Sequence, residues 1–539
     1  MTSRVELNTW DLAIFALYLV VTLVVGFAVA RRGTRTVQGY FLGGRDIPWY
    51  VVGASLVATV ISSEHFIGTV GAAYATGIVV AAFHWNAWIV YTLLIWVFLP
   101  YYIRTKLYTM PEFLERRYNA ALRYLYTVFL AVGYVASLLG GVLFAGGEAL
   151  ESMFGFNIYA AIVILAAATG AYTIYGGLVS AAWTDFMQLV LLLAAGLLVA
   201  LLGLWKAGGL VALATAYPEK FQVFLPPEHK LFPATGVFTG FLTIGIWYNC
   251  ASQHIVQRCL SARNEWHART GVVTAGFLHV LMPLLFVVPG IAAYKLFPGL
   301  ERPDHAFPTL VQNLLPAGLR GLVTAGLVAA LMSTLSSVVN SASTILTLDL
   351  YRRAWRPAAS EAELVRFGRS AGALVLAAGT AIAFYYSSLE GSFAFLLIQN
   401  VFAYIAPPFA VVFTLGILWR RANGTAALAT ILAGFPLTFV LEKLLFPNLP
   451  LLARYDNYLH RAFAAWLFCM AVMITVSLST APPKPERTAG IIWTPGYARL
   501  PEEEAARYSG WKDYRIWWGL FVGTVLAIYA FFAWFRVTH

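Results

Sequence analysis

Charge is what this sequence has least of. Only 11% of its 539 residues are Asp, Glu, Lys or Arg, while 60% are hydrophobic and 15% aromatic. Ordinary soluble domains carry about 25% charged residues, so this chain cannot solvate a globular surface of its own size and reads as a polytopic membrane protein. Cysteine is scarce too: Cys250, Cys259 and Cys469 lie in or at the ends of apolar segments, without metal-ligand spacing. That excludes a disulfide framework and a thiolate metal centre. A basic cluster is missing as well, since the net charge of +11 is scattered between apolar runs, which excludes a nucleic-acid interface. Long polar stretches are also absent. The largest connecting segments, at about 104–121, 207–234, 298–316, 447–459 and 481–512, leave no room for a soluble enzymatic domain.

What is present is a series of apolar runs, each long enough to cross roughly 30 Å of hydrocarbon. Fourteen are counted: about 8–30, 48–71, 79–103, 122–153, 157–175, 182–206, 235–258, 268–297, 317–351, 364–387, 391–419, 424–446, 460–480 and 513–536. Assigning the 36 Lys and Arg to alternate sides puts 25 on one face, Arg258 among them, and 11 on the other. The positive-inside rule makes the richer face cytoplasmic and places both termini outside. "GFAVARRG" has an Ala-x-Ala pattern, but its arginines follow the apolar run, so the run is expected to be a retained helix. The segment 481–512, which includes "GIIWTPGYARL", is expected to be a cytoplasmic surface linker.

Two apolar runs are interrupted near their centres, the second by "SSEH" and the seventh by "WYNCASQH". They are five places apart in span order, an odd number, so they cross the bilayer in opposite directions. Such residues can simply join helices through hydrogen bonds. A matched pair in corresponding positions points instead to an inverted repeat of five helices, 48–206 and 235–419, whose broken helices form a midplane site in a secondary transporter. An unwound turn frees carbonyls that lipid cannot satisfy, so it persists only around a cavity or an ion.

The ninth run, "AALMSTLSSVVNSASTILTLD", supplies hydroxyls. Ser333, Ser337, Asn340 and Thr344 fall on one helical face, widened by Thr334, Ser336, Ser341 and Ser343. Hydroxyls with carbonyls suit a hard cation, and a Ser/Thr packing face is the alternative. Asp185, in "AAWTDFMQLV", is either an intramembrane functional carboxylate or an interfacial residue favoured by a helix N-terminus.

The stretches "GGRDIPWYVVGASLVATVISSEHFIG", "AAFHWNAW", "TMPEFLERRYN", "YTIYGGLVSAAWTD", "WYNCASQHIVQRCL", "MSTLSSVVNSASTILTLDLY" and "IQNVFAYIAPP" together resemble the sodium:solute symporters, within them the sodium/glucose cotransporter branch. The resemblance covers nearly the whole chain. It implies an all-α, LeuT-type fold in one membrane domain, with 8–30, 424–480 and 513–536 as helices outside the two repeats. It also implies a principal sodium site of the backbone oxygens of Ala58, Ile61 and Ala330 with the hydroxyls of Ser333 and Thr334. A second site implied by the family matches Asp185, Ser336 and Ser337, which points toward two sodium ions per cycle.

For substrate, the resemblance implies His65, Tyr248 as the aromatic closing the inner side, Gln399 as a sugar contact, and Phe83 and Phe395 as outer aromatics. The chain departs from its sugar-transporting relatives at His84, where they have Glu, and at His279, where they have Lys. Gly245 and Ala87 replace polar contacts. Exchanging Glu and Lys together removes an opposite-charge pair without stranding one charge. Three imidazoles remain, able to donate and accept toward hydroxyls or, if protonated, to favour a carboxylate. A three-histidine metal site has no spacing motif behind it.

The resulting expectation is sodium-coupled import of a sugar or polyol by a multi-pass cell-membrane protein that is no enzyme, needs no organic cofactor and works as a monomer. An organic-anion symporter keeps the fold and changes the cargo. A non-transporting sensor would need a cytoplasmic signalling domain, which the sequence does not contain.

Overall fold

Several helices begin at a side chain that accepts an otherwise orphaned first-turn N–H group. Asn119, Asn157, Asn264 and Asn423 each accept from the N–H three residues on, at 2.9–3.1 Å. The computed structural model describes residues 5–30, 35–62, 64–388 and 394–538, without the side chains of 394–401 and 536–538. Among the described residues there is no strand, and ten helices are long and apolar enough to cross a membrane.

Helix α1, Thr9–Ala30, is followed by α2, Trp49–Val60, and α3, 64–76, with a gap at Ile61. Helical turns continue through α4, 77–104, α5, Ala120–Phe154, and α6, Ile158–Lys206. The expected span at 48–71 is thus divided into two shorter pieces. A straight helix of the 49 residues in α6 would run to about 74 Å, far more than one bilayer. It is divided at Gly177, whose φ of 58° and ψ of −148° are not helical. The sequence placed six residues between the spans at 157–175 and 182–206, and a single glycine suffices. A Cβ on Gly177 would stand 2.3 Å from the Tyr40 carbonyl oxygen, so only glycine fits this close approach.

The second half begins with α7, 234–251, and α8, Gln253–Leu260, separated by one extended residue, Ser252. Then come α9, Glu265–Leu296, α10, Leu319–Trp355, α11, Glu361–Ser387, and α12, Ala394–Leu418. Helices α13, Gly424–Asn448, α14, Tyr458–Ser479, and α15, Tyr514–Thr538, complete the chain. The two broken helices are tied together next to their ends: Ile47 N–H donates to the Ser261 carbonyl and Arg263 N–H to the Ile47 carbonyl, both at 3.1 Å.

Helix α10 is the centre of the molecule, with 94% of its most apolar window buried, against 17% for α1 and α15. It packs on α6, which also carries α1. The peripheral helices turn Trp10, Val24 and Trp534 outward, as a lipid-facing surface requires. Asp11, to which the sequence reading gives no role, is fully buried. Its carboxylate accepts from Gly318 and Gly321 N–H at 2.8 and 2.7 Å and so caps α10.

The segment 481–512 is an ordered strap. Trp493 N–H donates to the Ile417 carbonyl and its indole to the Trp96 carbonyl, while Tyr508 stacks on Trp266 at 3.9 Å.

Candidate functional site

Each helix break begins at an extended residue, Ile61 (φ −82°, ψ 125°) at the first and Ser252 (φ −73°, ψ 132°) at the second. Each leaves carbonyls that need partners, and the two breaks satisfy them differently. At the second, rigid tyrosines do so: Tyr102 donates to the Cys250 carbonyl at 2.8 Å and Tyr126 to that of Ala251 at 3.2 Å. At the first, small hydroxyls on α10 do so. Ser333 donates to Ala58 O at 2.7 Å and Ala330 O at 2.9 Å; Thr334 lies 3.1 Å from Thr59 O and Ile61 O and 3.3 Å from Ala330 O.

Four carbonyl oxygens therefore compete for two hydroxyl protons, since each hydroxyl donates only once. An oxygen-rich cluster short of hydrogens is a cation cradle in composition: turning the hydroxyl protons aside points every oxygen inward. All five expected residues, Ala58, Ile61, Ala330, Ser333 and Thr334, converge here, joined by the Thr59 carbonyl.

One turn along α10 a second cluster forms. Ser55 donates to Asp185 Oδ2 at 2.6 Å, Ser336 approaches Oδ1 at 3.4 Å, and the Ser337 hydroxyl lies 2.7 Å from that of Thr59. Asp185 is fully buried inside α6, so the interfacial alternative does not hold. Arg258 is the residue that sequence reading misplaced. It is counted there with the cytoplasmic loop charges, yet its side chain is fully buried, 3.6 Å from Asp185, and donates to Ser337. In "QHIVQRCL" every one of the eight residues is buried, polar ones included, which only the packing shows.

Beside the first break lies a cavity of about 130 Å³ lined by Glu64, His65, Phe83, His84, Tyr248 and His279 among others. The helix break aims His65: Ser62 N–H donates to its Nδ1 at 3.4 Å, which leaves the proton of the neutral ring on Nε2. His84 stands 5.3 Å from His65, ring to ring, and its Nδ1 lies 3.3 Å from His279 Nδ1. Two neutral imidazoles in that contact must be opposite tautomers, one Nδ1 donating and the other accepting. Their Nε2 atoms consequently present one acceptor and one donor. His279 Nε2 is buried without a protein partner.

Phe83 closes one side of the cavity against Phe232 and Phe241, with ring centroids 5.4 and 5.1 Å away. Tyr248 closes another, packed on His254 and Phe402 at 5.0 and 5.4 Å. Ala87 and Gly245 also line it, and Val90 explains the glycine: a Cβ on Gly245 would meet Val90 Cγ1 at 2.7 Å. Glu64, which the sequence left without a role, and Asn249 are lining residues as well. Phe395 and Gln399 fall on α12 outside the described side chains. Among the described residues no group of three or more His, Cys, Asp and Glu is placed to hold a metal ion.

A helical membrane protein with two broken helices meeting at a central cavity is built as a secondary transporter, and comparison with known structures agrees. A substrate-bound, outward-open Na+-coupled sialic acid symporter superposes with a TM-score of 0.79 at 22% identity, over 88% of this chain and 99% of that one. The nucleobase-cation-symport-1 family transporter Mhp1, in a closed conformation, gives 0.54 at 16% identity over 83% and 97%. The fold is the LeuT type.

Residues 40–434 match the sodium:solute symporter family, and the chain belongs to it. It is 34% identical to the sodium/myo-inositol cotransporter of Bos taurus, over 90% of this chain and 75% of that protein. It is 33% identical to sodium/glucose cotransporter 1 of Ovis aries, over 88% and 79%. The protein is a multi-pass membrane transporter rather than an enzyme, with sodium as its coupling ion.

Proposed function

We propose that this protein imports a neutral polyhydroxyl solute, a sugar or cyclic polyol, with sodium by alternating access. The observation that carries the reading is that cavity and cation cradle share one broken helix: Ala58 and Ile61 face the cradle while His65, four residues on, faces the cavity. Sodium in the cradle replaces the two hydroxyl protons as the partner of the freed carbonyls and holds the joint in the shape that presents His65. Loss of sodium returns the protons to the carbonyls and releases the joint. Each ion contributes about 2.3 kcal/mol per 100 mV of membrane potential, plus its concentration gradient. Asp185, Ser336 and Ser337 are the candidate second ion site.

Two features favour a neutral cargo over an organic anion. Relatives named for myo-inositol and glucose transport align over most of the chain. Among the described lining residues the cavity has one carboxylate, Glu64, and no Lys or Arg. A carboxylate substrate would meet a carboxylate and no Lys or Arg among those lining residues, which is unfavourable in a low-dielectric pocket. The neutral histidine pair offers an acceptor and a donor together, the pattern that a hydroxyl needs.

The test is uptake into proteoliposomes of labelled inositols, hexoses and monocarboxylates, with and without an inward sodium gradient. Gradient-dependent accumulation of a polyol or sugar is expected. Accumulation of acids alone would replace the cargo, and no sodium-dependent accumulation would remove coupling.

A further inference from the structure

Asp185 already has a cation beside it. Arg258 Nη2 lies 3.6 Å from Asp185 Oδ2 and donates to Ser337 Oγ, with both charged side chains fully buried. Those acceptors are two of the three oxygen-bearing side chains of the candidate second ion site. The contact is loose. A separation of 3.6 Å is not a hydrogen bond, and Arg258 Nε and Nη1 are buried without partners.

Other buried or nearly buried arginines make two or more hydrogen bonds each, although Arg117 Nη1 and Arg269 Nε are also buried without partners. Arg123 places Nε 2.7 Å from Asp349 and Nη1 2.5 Å from Glu115. Arg117 donates Nε to the Gly416 carbonyl at 2.7 Å and Nη2 to that of Trp419 at 3.0 Å. A buried ion pair supports a fold only when its geometry is good and its remaining protons are bonded. Arg258 meets neither condition. One turn beyond Ser337 on α10, Asn340 is also buried with both amide atoms unpartnered. Stranded polar atoms on neighbouring groups indicate a second arrangement of those groups or bound water.

We propose that Arg258 is a tethered competitor for the second sodium ion, so that guanidinium and sodium occupy Asp185 and Ser337 in turn. The inference rests on the sodium-symport reading. The two cannot coexist there: both carry positive charge, and both need the Ser337 lone pairs and the Asp185 carboxylate. When sodium arrives, Arg258 gives up Asp185, and Asn340, one turn beyond Ser337 on α10, offers an unpartnered amide. When sodium leaves, Arg258 returns, and the unloaded carrier never holds an uncompensated buried carboxylate. Arg258 is thereby a positioning residue, because it sits on α8, the second half of the broken helix that carries Tyr248 at the cavity. Exchange at Asp185 is transmitted to the helix that closes the substrate site.

The test titrates sodium into the purified full-length protein in detergent and follows thermal stability, which reports sodium binding without substrate. Removing the competitor in Arg258→Gln should lower the half-effective sodium concentration by about tenfold, a usual size for coupling between two ligands. Arg258→Lys keeps the charge for folding but is shorter and lacks the guanidinium fork, so it should lower that concentration by a smaller factor. A merely structural arginine would lower the melting temperature of these variants without shifting the titration downward. An unchanged or raised sodium requirement in either folded variant overturns the competition. A wild-type protein that shows no sodium response at all would instead remove the symport reading beneath it.

Discussion

The hydroxyls of Thr59 and Ser337 lie 2.7 Å apart, while the Thr59 carbonyl stands 3.1 Å from the Thr334 hydroxyl. One residue of the broken helix thus touches both oxygen clusters, its backbone in the first and its side chain in the second. Thr59→Val keeps the shape and deletes the link. Loss of a hydrogen bond of about 1 kcal/mol should raise half-saturating sodium roughly fivefold, and the sodium Hill coefficient should fall toward one. Sodium titration of uptake in proteoliposomes checks both. A coefficient that stays above one would show that the clusters do not communicate through Thr59.

Ser333 and Ser343 lie on the same helix and separate ion binding from packing. Ser333 donates to the carbonyl of Ala58 in the cradle, whereas Ser343 donates to the Gly368 carbonyl on α11 at 2.6 Å, away from it. Ser333→Ala removes a proposed ligand and leaves a buried carbonyl short of a partner, so half-saturating sodium should rise about tenfold or more. Ser343→Ala should cost about 1 kcal/mol of stability and leave the sodium dependence alone. Equal sodium titrations for the two variants would place the ion elsewhere.

The broken helices and the hydroxyl face of α10 were legible in the sequence because a polar run inside an apolar one has few physical explanations. Ala58, Ile61, Ser333 and Thr334 follow from the family resemblance, and their hydroxyls and carbonyls lie in contact. Arg258 was not legible: at the edge of an apolar run it looks the same whether it snorkels to the cytoplasm or turns inward, and only the packing of α8 on α10 decides. Asp11 failed for the same reason, since its partners, the Gly318 and Gly321 amides, are more than three hundred residues away in sequence. Thr59 was missed because its role needs two neighbours at once, Thr334 and Ser337, which no local pattern encodes. The short turn at Gly177 was hidden because one left-handed residue does in a helix what sequence patterns assign to a loop.

Gly177 makes its own prediction. Alanine there must hold φ near 58° and bring a Cβ to 2.3 Å from the Tyr40 carbonyl. Each demand is unfavourable, and strain of this kind costs about 1–3 kcal/mol. Gly177→Ala should therefore melt several degrees below wild type in detergent, followed by tryptophan fluorescence, while the folded fraction keeps the wild-type sodium Hill coefficient. A wild-type melting temperature would mean that the turn is made otherwise.

The histidine pair decides how the cavity reads its substrate. With His84 Nδ1 3.3 Å from His279 Nδ1, protonating both rings would set two N–H donors against each other, so the neutral state of the pair has one donor and one acceptor Nε2. Glu and Lys in the same two places would offer the same pattern through a charged pair. His84→Glu alone buries a carboxylate beside Glu64 without its cation, and His279→Lys alone buries an ammonium; an unpaired buried charge costs about 3–5 kcal/mol. Each single variant should lose substrate affinity by at least about tenfold, whereas His84→Glu/His279→Lys should recover most of it, giving a coupling of about 1–3 kcal/mol in the double-mutant cycle. Competition by unlabelled polyol against labelled uptake measures all four corners of that cycle. Additive losses would mean that the two positions contact substrate independently, and wild-type affinity in both single variants would take the pair out of the substrate site.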